Sequence, residues 1–218
     1  VSTEALALDL EAVVDRLSLK DFFVFAPIGY GHSASRYAVA HPDRVAGLIL
    51  WASFVDGAQA YERITLVDLA EQNWEFFLQT IAQGKGWLEP REVRAYVDML
   101  KQSTTQKDYL AFIEWSIGSN VQSLLPEVRT PVLVLHPREF DDVKVEEAMR
   151  LASMLPNARL VLLEGQRLIP TAEMVDPALR AIAEFIDDVT GQPAGERGQA
   201  VPSAFRTVLF TDLVGHTE

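Results

Sequence analysis

Two short stretches of this 218-residue chain carry side chains that could do chemistry. The first, Gly31-His32-Ser33-Ala34-Ser35, sets a hydroxyl beside an imidazole in most of a Gly-x-Ser-x-Gly pattern, which is typical of acyl-transfer nucleophiles. It lacks the second glycine and lies inside a predicted helix, so Ser33 and Ser35 also fit as small residues that let the helix pack closely. The second stretch places Asp212 at a strand-to-turn bend, after the apolar run 205–210.

Composition narrows the chemistry further. The chain has no cysteine, which excludes disulfides, thiolate zinc sites, iron–sulfur clusters and cysteine nucleophiles. Lys and Arg number 19 against 31 Asp and Glu, for a formal charge of -12. No basic surface is therefore expected to bind nucleic-acid phosphates or an anionic membrane.

Targeting and membrane signals are weak in this sequence. The longest apolar stretch, 45–55, is far shorter than the roughly 20 residues that a membrane-spanning helix needs. The first residues, with Glu4, Asp9 and Glu11, do not resemble a secretory signal. The prediction is a cytoplasmic protein.

Short apolar runs alternate with helical spacing along much of the chain. The predicted strands are 22–26, 45–52, 132–136 and 160–163. Helices are predicted before the first strand, between the first two strands, and after each of the last two. This alternation predicts an α/β fold, with a parallel sheet and helices on both of its faces.

Three segments depart from that alternation. Residues 56–125 are rich in aromatic side chains and helical spacing, and they predict an inserted helical cap. Residues 190–203 have the Gly and Pro content of a flexible linker. Residues 204–218 resume a strand pattern, so a second domain is expected to begin there and to be cut off at Glu218.

The first 189 residues resemble the α/β-hydrolase family. The resemblance is carried by the segments LSLKDFFVFAPIGYG, RYAVAHPDRVAGLILWAS, TPVLVLHPREFDD and NARLVLLEGQRLIP. It implies a partial α/β-hydrolase fold whose N-terminal strands lie upstream of Val1. Family members carry a nucleophile on the turn after a strand, an acid after a later strand and a histidine after the last.

Carried over to this sequence, the resemblance implies that Ile28, Phe140 and Leu168 stand at the nucleophile, acid and base positions. No histidine lies between His136 and His216, where the family's base belongs. We therefore expect a degenerate triad with no intact catalytic residue. Its apolar residues either fill the core or line a cavity for a small apolar ligand under the cap.

The remaining histidines and carboxylate pairs have plainer interpretations. His41 is predicted to end a helix and His136 to end a strand, so neither is expected to ligate a metal. The pairs Asp141-Asp142 and Glu146-Glu147 are expected to be a solvated helix entry, since carboxylates favour helix N-termini.

The last residues, FRTVLFTDLVGHTE, resemble the opening strand and turn of the class III nucleotide cyclase domain. That resemblance implies that the Asp212 carboxylate and the Leu213 backbone carbonyl hold Mg²⁺ or Mn²⁺, hard cations that prefer oxygen ligands. It further implies ATP or GTP as the substrate of the parent protein, and a homodimer formed through the cyclase domains.

Together, the two resemblances predict a fragment of a signal-transduction protein. In it a catalytically inactive α/β-hydrolase-like domain regulates a class III adenylate or guanylate cyclase, a lyase that makes cyclic nucleotide. Two alternatives stay open. The chain could be an active, esterase-like hydrolase that uses Ser33, or a pure binding module in which the terminal motif is a coincidence.

Overall fold

A parallel sheet organises the chain in the computed structural model, which describes residues 1–60, 65–84, 87, 89–168 and 172–191. The four strands lie side by side in chain order and every pairing is parallel. They are β1 (Phe22–Pro27), β2 (Val45–Trp51), β3 (Val132–Pro137) and β4 (Ala158–Leu163). The four strands expected from the apolar runs are confirmed to within two residues at either end.

Helices occupy most of the remaining described residues. They are α1 (Thr3–Arg16), α2 (Tyr30–Ala40), α3 (Gly57–Ala60), α4 (Thr65–Gln72), α5 (Trp74–Gly84), α6 (Pro90–Ser103), α7 (Gln106–Gly118), α8 (Val145–Met154) and α9 (Ala172–Thr190). Their starts follow local chemistry: the Ser2 hydroxyl accepts from the Ala5 amide at the start of α1, and Pro90 opens α6. Within these described segments, no helix combines the length and apolarity needed to cross a membrane.

The sheet is covered on both faces, as β2 illustrates. Leu48 and Leu50 pack into one apolar cluster with residues of α1, α2 and α8. Ile49 and Trp51 point the other way, into a second cluster with residues of α9. This alternation follows from the period of two in a strand, and it confirms the α/β fold with helices on both faces.

Between β2 and β3 the described chain is helical, from α3 to α7. We call α4, α5 and α6 the cap helices. They have an apolar core of their own, in which Phe77 and Leu78 of α5 meet Tyr96 and Val97 of α6. The boundaries 56 and 125 for a separate cap stay a prediction, and residues 192–218, with the predicted linker and second domain, lie outside the described residues.

Parallel pairing brings the ends of all four strands to one edge of the sheet. Pro27 pairs with Trp51, Trp51 with Leu135, and Pro137 with Leu163. The residues that follow β1, β3 and β4 therefore meet at this carboxyl edge, which is where open α/β sheets bind ligands.

Candidate active site

A sharp turn joins β1 to α2 at the carboxyl edge. Ile28 has a φ of +44°, in the left-handed region that β-branched residues avoid. Its amide N–H donates to the carbonyl oxygen of Trp51 at 2.8 Å, and α2 begins two residues later at Tyr30. The turn thus has the strand–turn–helix form of a nucleophile elbow, with Ile28 at its tip.

Two glycines let this turn pack tightly against its neighbours. A Cβ on Gly29 would lie 2.9 Å from Ser116 Oγ of α7, and one on Gly31 would lie 2.5 Å from Ser53 Oγ. The turn is therefore pressed between α7 and the end of β2, where larger side chains at these two positions would force it away.

The residues expected at the three triad positions are brought together. Ile28, Phe140 and Leu168 belong to one apolar cluster, and Phe140 is buried. The loop that carries Leu168 is held in place by the Trp51 indole, whose Nε1–H donates to the Leu168 carbonyl oxygen at 2.7 Å. None of the three side chains has an exchangeable proton, so what they contribute at this edge is exclusion of water.

Ser33 lies one turn into α2 and is buried. Its hydroxyl has no hydrogen-bond partner among the described residues. Leaving a buried hydroxyl without a hydrogen bond costs free energy, so Ser33 is a candidate for a functional role at this site.

His32, next to Ser33, is buried as well. Its Nε2 lies 2.8 Å from the Phe54 carbonyl oxygen, so Nε2 carries the proton and donates, while Nδ1 keeps a lone pair. Nδ1 has no partner in the described part of the chain, and so His32 and Ser33 are not joined by a hydrogen bond. Burial lowers the pKa of His32 to about 4, which keeps the ring neutral at pH 7.

His136 and His41 take the places that the sequence predicts. His136 is fully buried near the end of β3, beside Phe140, and burial lowers its pKa to about 4. His41 is the C-cap residue of α2 and lies 3.4 Å from a carboxylate oxygen of Glu11.

One carboxylate differs from the expectation. Glu147 is not simply a solvated residue at a helix entry, because its side chain is only 13% exposed. One carboxylate oxygen accepts from the Val55 amide at 3.3 Å, and the other lies 3.3 Å from Arg150 Nη1. The pair Glu147 and Arg150 thereby ties α8 to the segment that leaves β2. The sequence could not show this burial of Glu147, because the amide that its carboxylate accepts from lies 92 positions away in the chain.

A row of aromatic rings runs from the turn into the insertion. Tyr30 stacks on Phe112 of α7 with ring centroids 5.5 Å apart, and Phe112 contacts Tyr109 at 6.3 Å. Tyr109 in turn meets Trp74 and Phe77 of α5 at 5.6 and 5.7 Å. The sequence analysis singled out aromatic residues of the insertion but missed Tyr30. Its place two residues after the turn was the available signal.

Asp212 and Leu213, the expected ligands for Mg²⁺ or Mn²⁺, lie outside the described residues. Nothing in the described ranges therefore bears on the metal site that the sequence predicted.

Comparison with known proteins places this geometry in the α/β-hydrolase fold class. No protein-family model matches the chain. A 2-hydroxy-6-oxononadienedioate/2-hydroxy-6-oxononatrienedioate hydrolase from Cupriavidus pinatubonensis is 24% identical over 164 residues, which cover 69% of this chain and 57% of that protein. The chain thus spans little more than half the length of this curated relative.

Solved structures give the same fold. A hydrolase from Oleispira antarctica aligns with a TM-score of 0.75 at 17% identity, covering 88% of this chain and 73% of that one. The enol-lactonase from Burkholderia xenovorans LB400 aligns with a TM-score of 0.73, also at 17% identity, covering 85% and 73%. The chain therefore contains an α/β-hydrolase-like domain.

These comparisons contradict the predicted function. The similar proteins are hydrolases, and nothing in them indicates a cyclase, a lyase, signal transduction or a catalytically inactive domain. The expectation of an inactive domain that regulates a class III nucleotide cyclase was wrong. Its cyclase part depended on 14 terminal residues and its inactive-domain part on three apolar residues, whereas the likeness to the hydrolase structures covers 85 to 88% of the chain.

Proposed function

We propose that this chain is a hydrolase of the α/β class, which cleaves an ester or a carbon–carbon bond beside a carbonyl group in a small organic acid. The hydrolase relative named for an oxo-dienedioate and the structurally similar enol-lactonase support this substrate class. The single observation that carries the proposal is the turn at Ile28. Backbone strain of this kind costs about 1–3 kcal/mol and persists mainly at functional sites.

The reacting hydroxyl is assigned to Ser33. Ile28, Phe140 and Leu168 are the residues that the family resemblance assigns to the three triad positions; they share one apolar cluster, and none of them can attack a carbonyl carbon. Ser33 is the aliphatic hydroxyl nearest in the chain to the turn on its helix side, and it is buried with no hydrogen-bond partner among the described residues. This is the esterase-like alternative that the Gly31–Ser35 stretch left open.

The chemistry is that of an acyl transfer. Ser33 Oγ bonds to the carbonyl carbon, its proton passes to a neutral imidazole, and the leaving group departs with that proton. Water then hydrolyses the acyl-serine and restores the hydroxyl. Burial holds His32 and His136 neutral, so each ring keeps a lone pair. Neither ring is hydrogen-bonded to Ser33 among the described residues, so the ring that accepts the proton must come within hydrogen-bond reach of Ser33 Oγ when the substrate binds.

Two measurements test the proposal. One is covalent labelling by a fluorophosphonate, which reacts with activated serine hydroxyls, and the other is the rate of hydrolysis of p-nitrophenyl butyrate. Wild-type protein is expected to be labelled stoichiometrically, and Ser33→Ala to lose labelling and at least about 100-fold of the hydrolysis rate. Ser35→Ala is the matched control, because Ser35 is also buried and lies two residues along the same helix. Unlabelled wild-type protein, or a Ser33→Ala variant as active as wild type, rules the proposal out.

A second candidate function is the binding of a small apolar ligand between the turn and the insertion. The aromatic row from Tyr30 to Trp74 and the apolar cluster of Ile28, Phe140 and Leu168 favour it. Isothermal titration with decanoate is expected to give saturable binding that Phe112→Ala weakens about tenfold or more, since a ligand that fully covers the half-buried Phe112 ring gains about 1.5–3 kcal/mol from it. Absence of heat with the wild-type protein would exclude decanoate-like ligands.

A further inference from the structure

Arg167 connects the loop after β4 to the insertion. Its Nη2 lies 3.1 Å from Glu92 Oε2 of α6, and its guanidinium carbon lies 4.7 Å from the ring centroid of Trp87. The side chain is only 21% exposed, so this contact is partly shielded from water. Arg167 also directly precedes Leu168, one of the three residues at the candidate active site.

The contact reaches the core of the cap helices. Trp87 stacks on Tyr96 with centroids 5.8 Å apart and an interplanar angle of 28°. Tyr96 is buried in the cap core with Phe77 and Leu78. Arg167 is therefore connected, through Trp87 and Tyr96, to the packed apolar core of the cap helices.

At the other end of the insertion, two chain segments run antiparallel beside each other, and we call 55–57 and 119–121 the pivot segments. The Gly57 amide donates to the Ser119 carbonyl at 2.9 Å, and the Val121 amide to the Val55 carbonyl at 3.0 Å. Asn120 Nδ2 donates to Asp56 Oδ2 at 2.8 Å. These bonds pair the chain that enters the insertion with the chain that leaves it.

Arg150 ties the paired pivot segments to α8. Its Nη1 donates to Gln59 Oε1 at 2.6 Å, and its Nη2 donates to Gln122 Oε1 at 2.7 Å. One guanidinium thus holds residues on both sides of the pivot segments. The pivot segments are thus anchored to α8, whereas the far side of the cap helices is joined to the loop after β4 through Arg167.

We propose that Arg167 is a latch that holds the cap helices closed against the loop after β4, and that they turn about the pivot segments when the latch opens. An arginine suits this role because its planar guanidinium can lie on the Trp87 ring while donating to the Glu92 carboxylate. The latch goes beyond the proposed hydrolase function and does not depend on it.

The strength of the contact is suited to a device that opens. A part-exposed ion pair and a cation–π contact are each weak, and together they change a closed-to-open ratio about 5- to 30-fold. A latch of that strength keeps the closed state dominant without locking it.

A distance between two spin labels measures the opening directly. The labels can be placed at chosen positions because the chain has no cysteine of its own. Labels on Met99→Cys in α6 and Met149→Cys in α8 use two side chains that are each 47% exposed. Double electron–electron resonance on the labelled full chain is expected to give one narrow distance distribution. Adding Arg167→Ala is expected to raise the fraction at a different distance at least fivefold.

Three further variants separate the latch from a general loss of charge or stability. Arg167→Lys keeps the charge but not the planar stack, so an intermediate distribution is expected. Glu92→Gln weakens the latch from the cap side. Arg138→Ala is the matched control: it removes a cation from the adjoining loop, where Arg138 pairs with Glu164 rather than with the cap helices.

The measurement decides in either direction. Identical distributions for wild type and Arg167→Ala overturn the latch, as does an equal change with Arg138→Ala. Thermal melts of each labelled variant establish that the folded chain is being compared, and Glu92→Gln supplies the answer where Arg167→Ala fails to fold.

Discussion

The amide N–H of Ile28 donates a 2.8 Å hydrogen bond to the carbonyl oxygen of Trp51, and Ile28 holds a φ of +44°. This bond continues the pairing of β1 with β2 by one residue, past Pro27 and into the turn. The backbone of residue 28 is thus held by its neighbour strand in a conformation that its own side chain disfavours. The turn is specified by the sheet and not by the residue at its tip.

Small substitutions at residue 28 measure this strain. Glycine normally destabilises a strand or helix relative to alanine by about 0.5–1 kcal/mol, but it adopts a positive φ without strain. We therefore expect Ile28→Gly to be more stable than Ile28→Ala by about 1 kcal/mol, as measured by urea unfolding. Both variants lose the packing of the Ile28 side chain beyond Cβ, and glycine loses only the Cβ methyl in addition, so a glycine that is more stable than alanine reports the backbone.

Val24, in the regular part of β1, is the matched position. There the order is expected to reverse, with Val24→Ala more stable than Val24→Gly. If alanine proved the more stable residue at both positions, the turn at Ile28 would not be strained.

A second prediction concerns Gly57, in the pivot segments at the base of the insertion. A Cβ on Gly57 would lie 1.9 Å from the Ser116 carbonyl oxygen of α7, which is backbone and cannot rotate away. Gly57→Ala is therefore expected to push α7 from the pivot segments and to lower the free energy of unfolding by about 2–4 kcal/mol. Chemical denaturation followed by tryptophan fluorescence measures the change.

Gly118, at the end of α7, provides the comparison. Nothing lies within 4 Å of a Cβ built on it, so Gly118→Ala is expected to change stability by less than about 1 kcal/mol. Equal losses at residues 57 and 118 would mean that the steric contact at Gly57 is not what restricts that position.

Most of the sheet could be predicted from the sequence because its signals are local. Continuous apolar runs mark buried parallel strands, and the spacing of residues such as Val175, Leu179 and Ile182 marks a helix. The end of β2 was less visible: Ala52 continues the apolar run, yet its φ of +49° ends the strand. A backbone conformation imposed by neighbouring chain leaves no mark on residue type.

The candidate site was predictable only where strand ends determine position. Ile28, Phe140 and Leu168 could be expected to share one cluster because each follows a strand, and parallel strands end at one edge. Their assignment to triad positions stays a prediction. The contact of Arg167 with Glu92 and Trp87 could not be predicted, because it joins the loop after β4 to residues of the insertion that lie 75 or more positions earlier in the chain. Function was mispredicted because a short terminal motif was weighed above the domain that makes up most of the chain.

The two buried histidines determine how stability responds to acid. His32 and His136 are 1% and 0% exposed, and burial lowers the pKa of each from 6.5 to about 4. Smaller opposing effects come from the Phe54 backbone and Asp56 on His32, and from the Val143 backbone and Glu146 on His136. Below pH 6.5 these two histidines therefore bind protons in the unfolded chain, whereas in the folded chain they stay neutral until the pH approaches 4. The stability that the neutral rings provide is complete above pH 6.5 and is lost as the pH falls toward 4.

We expect the free energy of unfolding of the wild-type chain to fall between pH 7 and pH 4, each ring accounting for about 3 kcal/mol of that fall. His32→Gln keeps a donor for the Phe54 carbonyl oxygen without titrating, and His136→Leu replaces a fully buried ring by an apolar side chain. Urea unfolding at pH 7 and at pH 4.5 should show that each variant reduces the loss and that the double variant reduces it by the sum. If the double variant lost as much stability as wild type, carboxylates rather than these two rings would control acid unfolding.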